Sequence, residues 1–179
     1  MKVLVVVASQ TGRTMRMADA FAEGAREAGA EATVVKAEDA APEDLEAADA
    51  IALGSGVHMG GIESSMRLFF ERVAPLWMQG RLVGKVGAAF VSAGAGARGG
   101  AELALLSLLA NLAEHGMLLV PMHNRMEGFA IAGCHWGPVA WTNPRSGKAG
   151  PTPDHLVACR AHGRWVAEQA GRLGGDEAV

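Results

Sequence analysis

Val3 to Ala8 is an unbroken apolar run, long enough for one strand and too uniform to leave either face in water. Directly after it the period changes. Ala18, Phe21, Ala22 and Ala25 recur at helical spacing, with Asp19, Glu23 and Arg26 opposite and Gly29 at the stop position. A strand buried on both faces and followed by an amphipathic helix belongs in a parallel sheet covered on both sides. The alternation then repeats. Strands are expected over Ala32–Lys36, Ala50–Leu53, Val86–Val91 and Met117–Val120. Helices are expected around Met66–Val73, around Leu105–Leu112, and from Thr152 as N-cap to about Leu173. The expected fold is a doubly wound α/β domain, residues 1–179, with five parallel strands in the order 2-1-3-4-5 and helices on both faces. In such a sheet a ligand sits at the carboxyl ends of the strands, near the switch point.

Composition narrows what that ligand is. With 16 Lys plus Arg against 19 Asp plus Glu, the net charge is −3, and there is no basic run. Nucleic acid is therefore not an expected partner. The chain has two cysteines and no tyrosine, which excludes a disulfide scaffold and tyrosine-based chemistry. No apolar stretch approaches a membrane span, and the run after Lys2 is too short for a secretory signal, so a cytoplasmic location is expected.

Three loops follow the first, third and fourth strands, which are neighbours in the expected order. The first is Ser9-Gln10-Thr11-Gly12-Arg13-Thr14, followed by Met15. Hydroxyls, backbone amides and a helix N-terminus meet there, a combination suited to one anion. It lacks the G-K-[ST] of a Walker loop. The second, Gly54-Ser55-Gly56-Val57-His58-Met59-Gly60-Gly61, has four glycines that let backbone approach a flat ligand, with Met59 as a polarizable surface. The third, Ser92-Ala93-Gly94-Ala95-Gly96-Ala97-Arg98-Gly99-Gly100, contains a literal G-x-G-x-x-G. The acidic residue a dinucleotide fold needs is missing at the next strand end, where Val120-Pro121 stands instead. One anion loop with two backbone-lined loops describes a mononucleotide with a planar head, and FMN is the natural candidate.

The first loop resembles the flavodoxin phosphate loop, S/T-x-T-G-x-T. Over nearly its whole length the chain is similar to the WrbA-type NAD(P)H:quinone oxidoreductases. Gly54 to Met66-Arg67 is similar to G-T-P-T-R-F-G-N…M-R. Leu76-Trp77, Gly80 and Gly84-Lys85 match L-W…G…G-K. Ser92 to Glu102 matches S-T-G-T-G-G-G-Q-E. His115-Gly116-Met117 with Val120-Pro121 matches H-G-M-x-x-V-P, and Trp136-Gly137 with Pro151-Thr152 matches Y-G…P-S.

The resemblance implies that Ser9, Thr11, Gly12, Arg13, Thr14 and Met15 hold the FMN phosphate. It implies that Ser55, Gly56, Val57, His58, Met59 and Gly60 lie along the ring, and that Ser92, Ala93, Gly94, Ala95 and Gly96 bind its pyrimidine edge. Trp77 and His115 would be the catalytic residues on the substrate side. The implied activity is electron transfer from NAD(P)H, as hydride donor, to a quinone-like acceptor. The implied assembly is a homo-oligomer, dimer or tetramer, in which a neighbouring subunit completes each site. Where the family has proline and arginine in the second loop, this chain has Gly56 and Val57-His58; the family's aromatic is Met59; its third-loop threonines are Ala93 and Ala95. A flavodoxin-type electron carrier without a small-molecule substrate is the alternative reading.

His155, Cys159 and His162 share one side of the last helix at ligand-like spacing. That side borders the apolar face with Val166 and Leu173, so no metal is expected.

Overall fold

The first strand sends its side chains alternately into two cores. In the computed structural model, which describes residues 1–94, 98–142 and 150–174, β1 spans Lys2–Ala8. Leu4, Val6 and Ala8 enter one apolar cluster, and Val3, Val5 and Val7 the other. The remaining sheet is β2 (Glu31–Lys36), β3 (Ala50–His58), β4 (Gly61–Ile62), β5 (Val86–Ala93), β6 (Leu118–Leu119) and β7 (Val139–Trp141). The main path runs β2-β1-β3-β5-β6. This is the order expected from sequence, with every pairing along it parallel.

Helices cover both faces. α1 (Arg13–Glu27) and α6 (Pro153–Gly174) pack together on one side, over Val5, Ala52 and Phe90. α2 (Pro42–Ala47), α3 (Ser64–Met78) and α4 (Arg98–Glu114) cover the other. A single-turn helix, α5 (Phe129–Ala132), packs on Ala158 of α6 in a small third cluster.

Three features depart from the sequence expectation. β3 does not stop at Leu53 but continues to His58, and a two-residue hairpin returns it as β4. Met59 and Gly60 form the hairpin tip, both at positive φ (49° and 84°), as a tight turn of this hand requires. The fifth strand is split. β6 pairs with the start of β5 at Val86 and Gly87, and β7 pairs with its end at Val91 to Ala93. Between them the chain leaves the sheet at Pro121, which has no N–H to donate to a ladder. Finally, Glu38–Asp49, an acidic stretch in which no helix is expected from sequence, contains α2, started by Pro42 in the first turn.

Candidate functional site at the carboxyl ends of the strands

The loop after β1 turns into α1 through Gly12, whose φ of +75° is reached without strain only by glycine. Gly12 has no side chain to cap the helix, so the first-turn amides are left to other partners. Met15 N–H donates to Ser9 Oγ (3.2 Å). Thr14 is buried, and its hydroxyl meets Ser92 Oγ of β5 at 2.8 Å. That bond ties the helix start to the end of β5 across β3.

These residues line a cavity of about 270 Å³. Ser9, Gln10, Thr11, Arg13 and Thr14 form one wall, Val57 and His58 of β3 another, and Ser92, Gly94 and Thr142 the third. The cavity thus joins the ends of β1, β3 and β5, the switch-point crevice expected from the topology. A larger hollow, about 700 Å³, lies at the opposite end of the sheet by Met1, Asp49, Val83 and Lys85. It lacks the loop-and-helix-terminus chemistry.

Several sequence-predicted residues stand elsewhere. Ser55 is fully buried; its hydroxyl donates to Gly56 C=O (2.9 Å) and accepts Glu63 N–H (2.9 Å), so it shapes the hairpin. Gly54 is a packing glycine, because a Cβ there would come within 2.2 Å of the Phe90 ring. Met59 is fully exposed at the hairpin tip and outside the cavity wall. Gly60 lies against Gly100 of α4. Ala93 is buried, its carbonyl taken by Thr142 N–H (2.7 Å) and Thr142 Oγ (3.3 Å). Ala95 and Gly96 fall outside the described residues.

Trp77 and His115 are separated from the cavity. α4 starts beside it and runs 17 residues back, about 25 Å, before His115 follows. Trp77 is in the last turn of α3, about 20 Å from the start of that helix. Both therefore sit near the amino ends of the strands. Trp77 is 51% exposed, whereas His115 is buried, with Nδ1 lacking a partner among the described residues. Burial pushes the His115 pKa down, opposed more weakly by Glu114.

Three cavity residues were not singled out in the sequence. Thr142 follows a strand too short to be read as one. Gln10 lay in the anion loop without a role. Glu63, 4% exposed, reaches the cavity from the N-cap position of α3. A lone acid between the glycine-rich segment and a helix start was the available signal.

The last-helix histidines do not converge. His155 Nδ1 meets Thr152 (2.8 Å to Oγ1), and its Nε2 accepts Trp141 N–H (3.4 Å). His162 Nε2–H donates to Val120 C=O (2.9 Å). Burial pushes the Cys159 thiol pKa up, keeping it protonated. Among the described residues no three His, Cys, Asp or Glu side chains form a metal-holding group. Among them, too, no helix is long and apolar enough to cross a membrane.

Residues 4–95 match the flavodoxin domain model. A protein of Methylocella silvestris named NAD(P)H dehydrogenase (quinone) is 38% identical, covering 97% of this chain and 99% of its own. One of the same name from Archaeoglobus fulgidus is 35% identical, covering 96% and 98%. Among solved structures, the flavodoxin, WrbA-like protein from Agrobacterium tumefaciens superposes with a TM-score of 0.75 at 26% identity, covering 96% of this chain and 98% of its own. A flavodoxin from the domain Archaea gives 0.73 at 24% identity, a likeness of fold, over 96% and 99% of the two chains.

Proposed function

Because the chain belongs to the flavodoxin domain family, among the relatives named NAD(P)H dehydrogenase (quinone), we propose that it is an FMN-dependent oxidoreductase carrying electrons from NAD(P)H to a quinone or similar acceptor. The observation that carries the reading is the convergence of the Gly12-started α1 terminus with the ends of β3 and β5 around one cavity. Bound FMN supplies the hydride acceptance and two-electron transfer.

The residues present fit such a group. Uncapped α1 amides, the Thr11 and Thr14 hydroxyls and the Arg13 guanidinium suit a phosphate. Val57 and His58 form one wall for a flat ring, and Ser92, Gly94 and Thr142 the other. In this reading Met59 and Gly60 shape the rim, Ser55 braces the hairpin, and Ala93 positions Thr142. Ser9 orders the loop by holding Met15 N–H. Cys134 and Cys159 are free thiols, in keeping with a reducing cytoplasm.

His115 and Trp77 lie too far from their own chain's cavity to touch a ligand there. They serve the reaction from a neighbouring copy in a homo-oligomer. Support comes from the apolar residues exposed beside them in sequence or packing: Met78, Val83, Leu118 and Leu119, with Trp77 itself half exposed.

Titration of the purified protein with FMN, followed by flavin fluorescence, tests the cofactor. About one FMN per chain is expected, and Thr11→Ala should weaken it roughly tenfold through one lost charged hydrogen bond. A titration that shows no saturable FMN binding would overturn the reading. Catalytic NAD(P)H oxidation with a benzoquinone separates the enzyme from a carrier, which would turn over only with a protein partner.

A further inference from the structure

The cavity read above as a phosphate site already holds an anion of the chain's own. Glu63 Oε2 accepts Gln10 N–H, an amide of the anion loop, at 3.3 Å. Its other oxygen accepts Ser65 Oγ–H at 3.2 Å. His58 Nε2 stands 3.5 Å from Oε2, the one ion-pair partner of Glu63 among the described residues. The Glu63 side chain is 5% exposed and that of His58 40%, so the acid is fixed inside and the imidazole sits at the rim. Gly56 runs alongside both. A Cβ there would lie 3.1 Å from His58 Nε2 and 3.5 Å from Glu63 Oε2.

A buried carboxylate is costly unless donors and a counter-charge surround it. Here those donors are an anion-loop amide and a hydroxyl in the first turn of α3, beside two helix N-termini. One of them, Gln10 N–H, is a group that an incoming phosphate would use. The two anions therefore compete, and like charges in a partly enclosed cavity repel.

We propose that Glu63 is a specificity residue for the cofactor, an internal rival of the FMN phosphate for the loop amides, with the His58 ring, a charge partner only when protonated, beside it at the rim. The proposal rests on the FMN reading. Its consequence is a loosely held, exchangeable cofactor and a site that favours FMN over riboflavin only modestly. A phosphate held by the loop amides would need Gln10 N–H, which Glu63 now takes, while the half-exposed His58 ring stays beside Glu63 at the rim.

The test measures dissociation constants for FMN and riboflavin, and for inorganic phosphate by competition with FMN. Glu63→Gln keeps the size and an acceptor for Gln10 N–H but removes the charge. It should tighten FMN and phosphate about tenfold or more and leave riboflavin within twofold. Glu63→Ser, a natural helix cap, should act in the same direction should the glutamine disturb folding. His58→Ala should weaken FMN several-fold in the parent and by less than twofold in the Glu63→Gln background. Equal shifts for FMN and riboflavin would make Glu63 a structural group, and weaker FMN binding in Glu63→Gln would make it a ligand-holding one; either overturns the rivalry. A parent that binds FMN with a constant unchanged by Glu63→Gln overturns the proposal alone. A parent that binds no FMN overturns the cofactor reading, and the proposal with it.

Discussion

Protonating His162 would create a second buried N–H with nothing to receive it. The side chain is fully buried; Nε2–H already donates to Val120 C=O, and Nδ1 has no partner among the described residues. Burial holds its pKa down to about 4 against 6.5 for an exposed histidine, the Val120 carbonyl raising it and His123 lowering it further. The unfolded chain thus takes up a proton near pH 6.5 that the folded chain refuses until about pH 4. Stability from this group is complete above pH 6.5 and is lost as pH falls through that window, by about 3 kcal/mol. His115 and His155, both also shifted down by burial, add to the same slope. His162→Gln, whose amide can still donate to Val120, should flatten the slope between pH 6.5 and 4 in urea melts. An unchanged slope would assign the acid sensitivity to other groups. In the sequence this histidine stood at metal-ligand spacing with Cys159, and the apolar neighbours Val166 and Leu173 marked the whole side as core. Glu63 had no such neighbours to betray it. Its role depends on Gln10, 53 positions away, and sequence periodicity carries no information on pairs that distant.

Elements bounded by a change of period were legible, and elements bounded by tertiary contacts were not. α1 and the first half of β3 follow from apolar spacing alone. The second half of β3 reads as loop because Gly54, Gly56 and His58 lack strand character, yet β1 pairs with it as far as Ser55 and β5 as far as Gly56. β7 is only three residues long and exists because β5 offers an open edge beyond β6. The closest helix pair, α1 with α6, was legible only as two helices. Their contact turns on Gly24 and Gly163, which as a sequence pair carried no signal. A Cβ on Gly163 would stand 2.0 Å from Phe21 C=O, and one on Gly24 1.9 Å from Arg160 C=O. The obstacles are backbone atoms, so the helices must separate. Arg160 and Arg164 pair with Glu27 across the same seam, but these exposed ion pairs contribute little. Gly163→Ala should therefore destabilise by about 3 kcal/mol, the upper end of ordinary overpacking, despite the helix propensity gained. Chemical denaturation measures it, and a loss below about 1 kcal/mol would show that the seam yields freely.

At the scale of the whole molecule, the fold divides the predicted machinery between its two ends. The cavity stands at the carboxyl ends of the strands, while His115, beyond the 17 residues of α4, and Trp77, in the last turn of α3, stand near the amino ends. α4 is apolar on its outward side as well, with Leu103 and Leu106 exposed, and the edge strand β6 shows Leu118 and Leu119. Leucines on the outward side of a helix and a bare apolar edge are the marks of surfaces covered in an assembly. In the proposed homo-oligomer these surfaces would be the interface, and His115 would act on an acceptor held in a neighbouring copy's cavity. Leu106→Glu with Leu119→Glu should then lower the assembly state in sedimentation and slow quinone reduction, while FMN affinity, set within one chain, stays near that of the parent. His115→Ala should slow reoxidation of the reduced flavin by quinone about 30- to 150-fold, as expected for a lost hydrogen bond of roughly 2–3 kcal/mol to an oxygen gaining charge. The reductive half-reaction should change less. If His115 only terminates α4, the variant should lose thermal stability and keep both half-reaction rates. Stopped-flow traces of the two half-reactions decide between these, and an oxidative rate within twofold of the parent would remove His115 from the reaction.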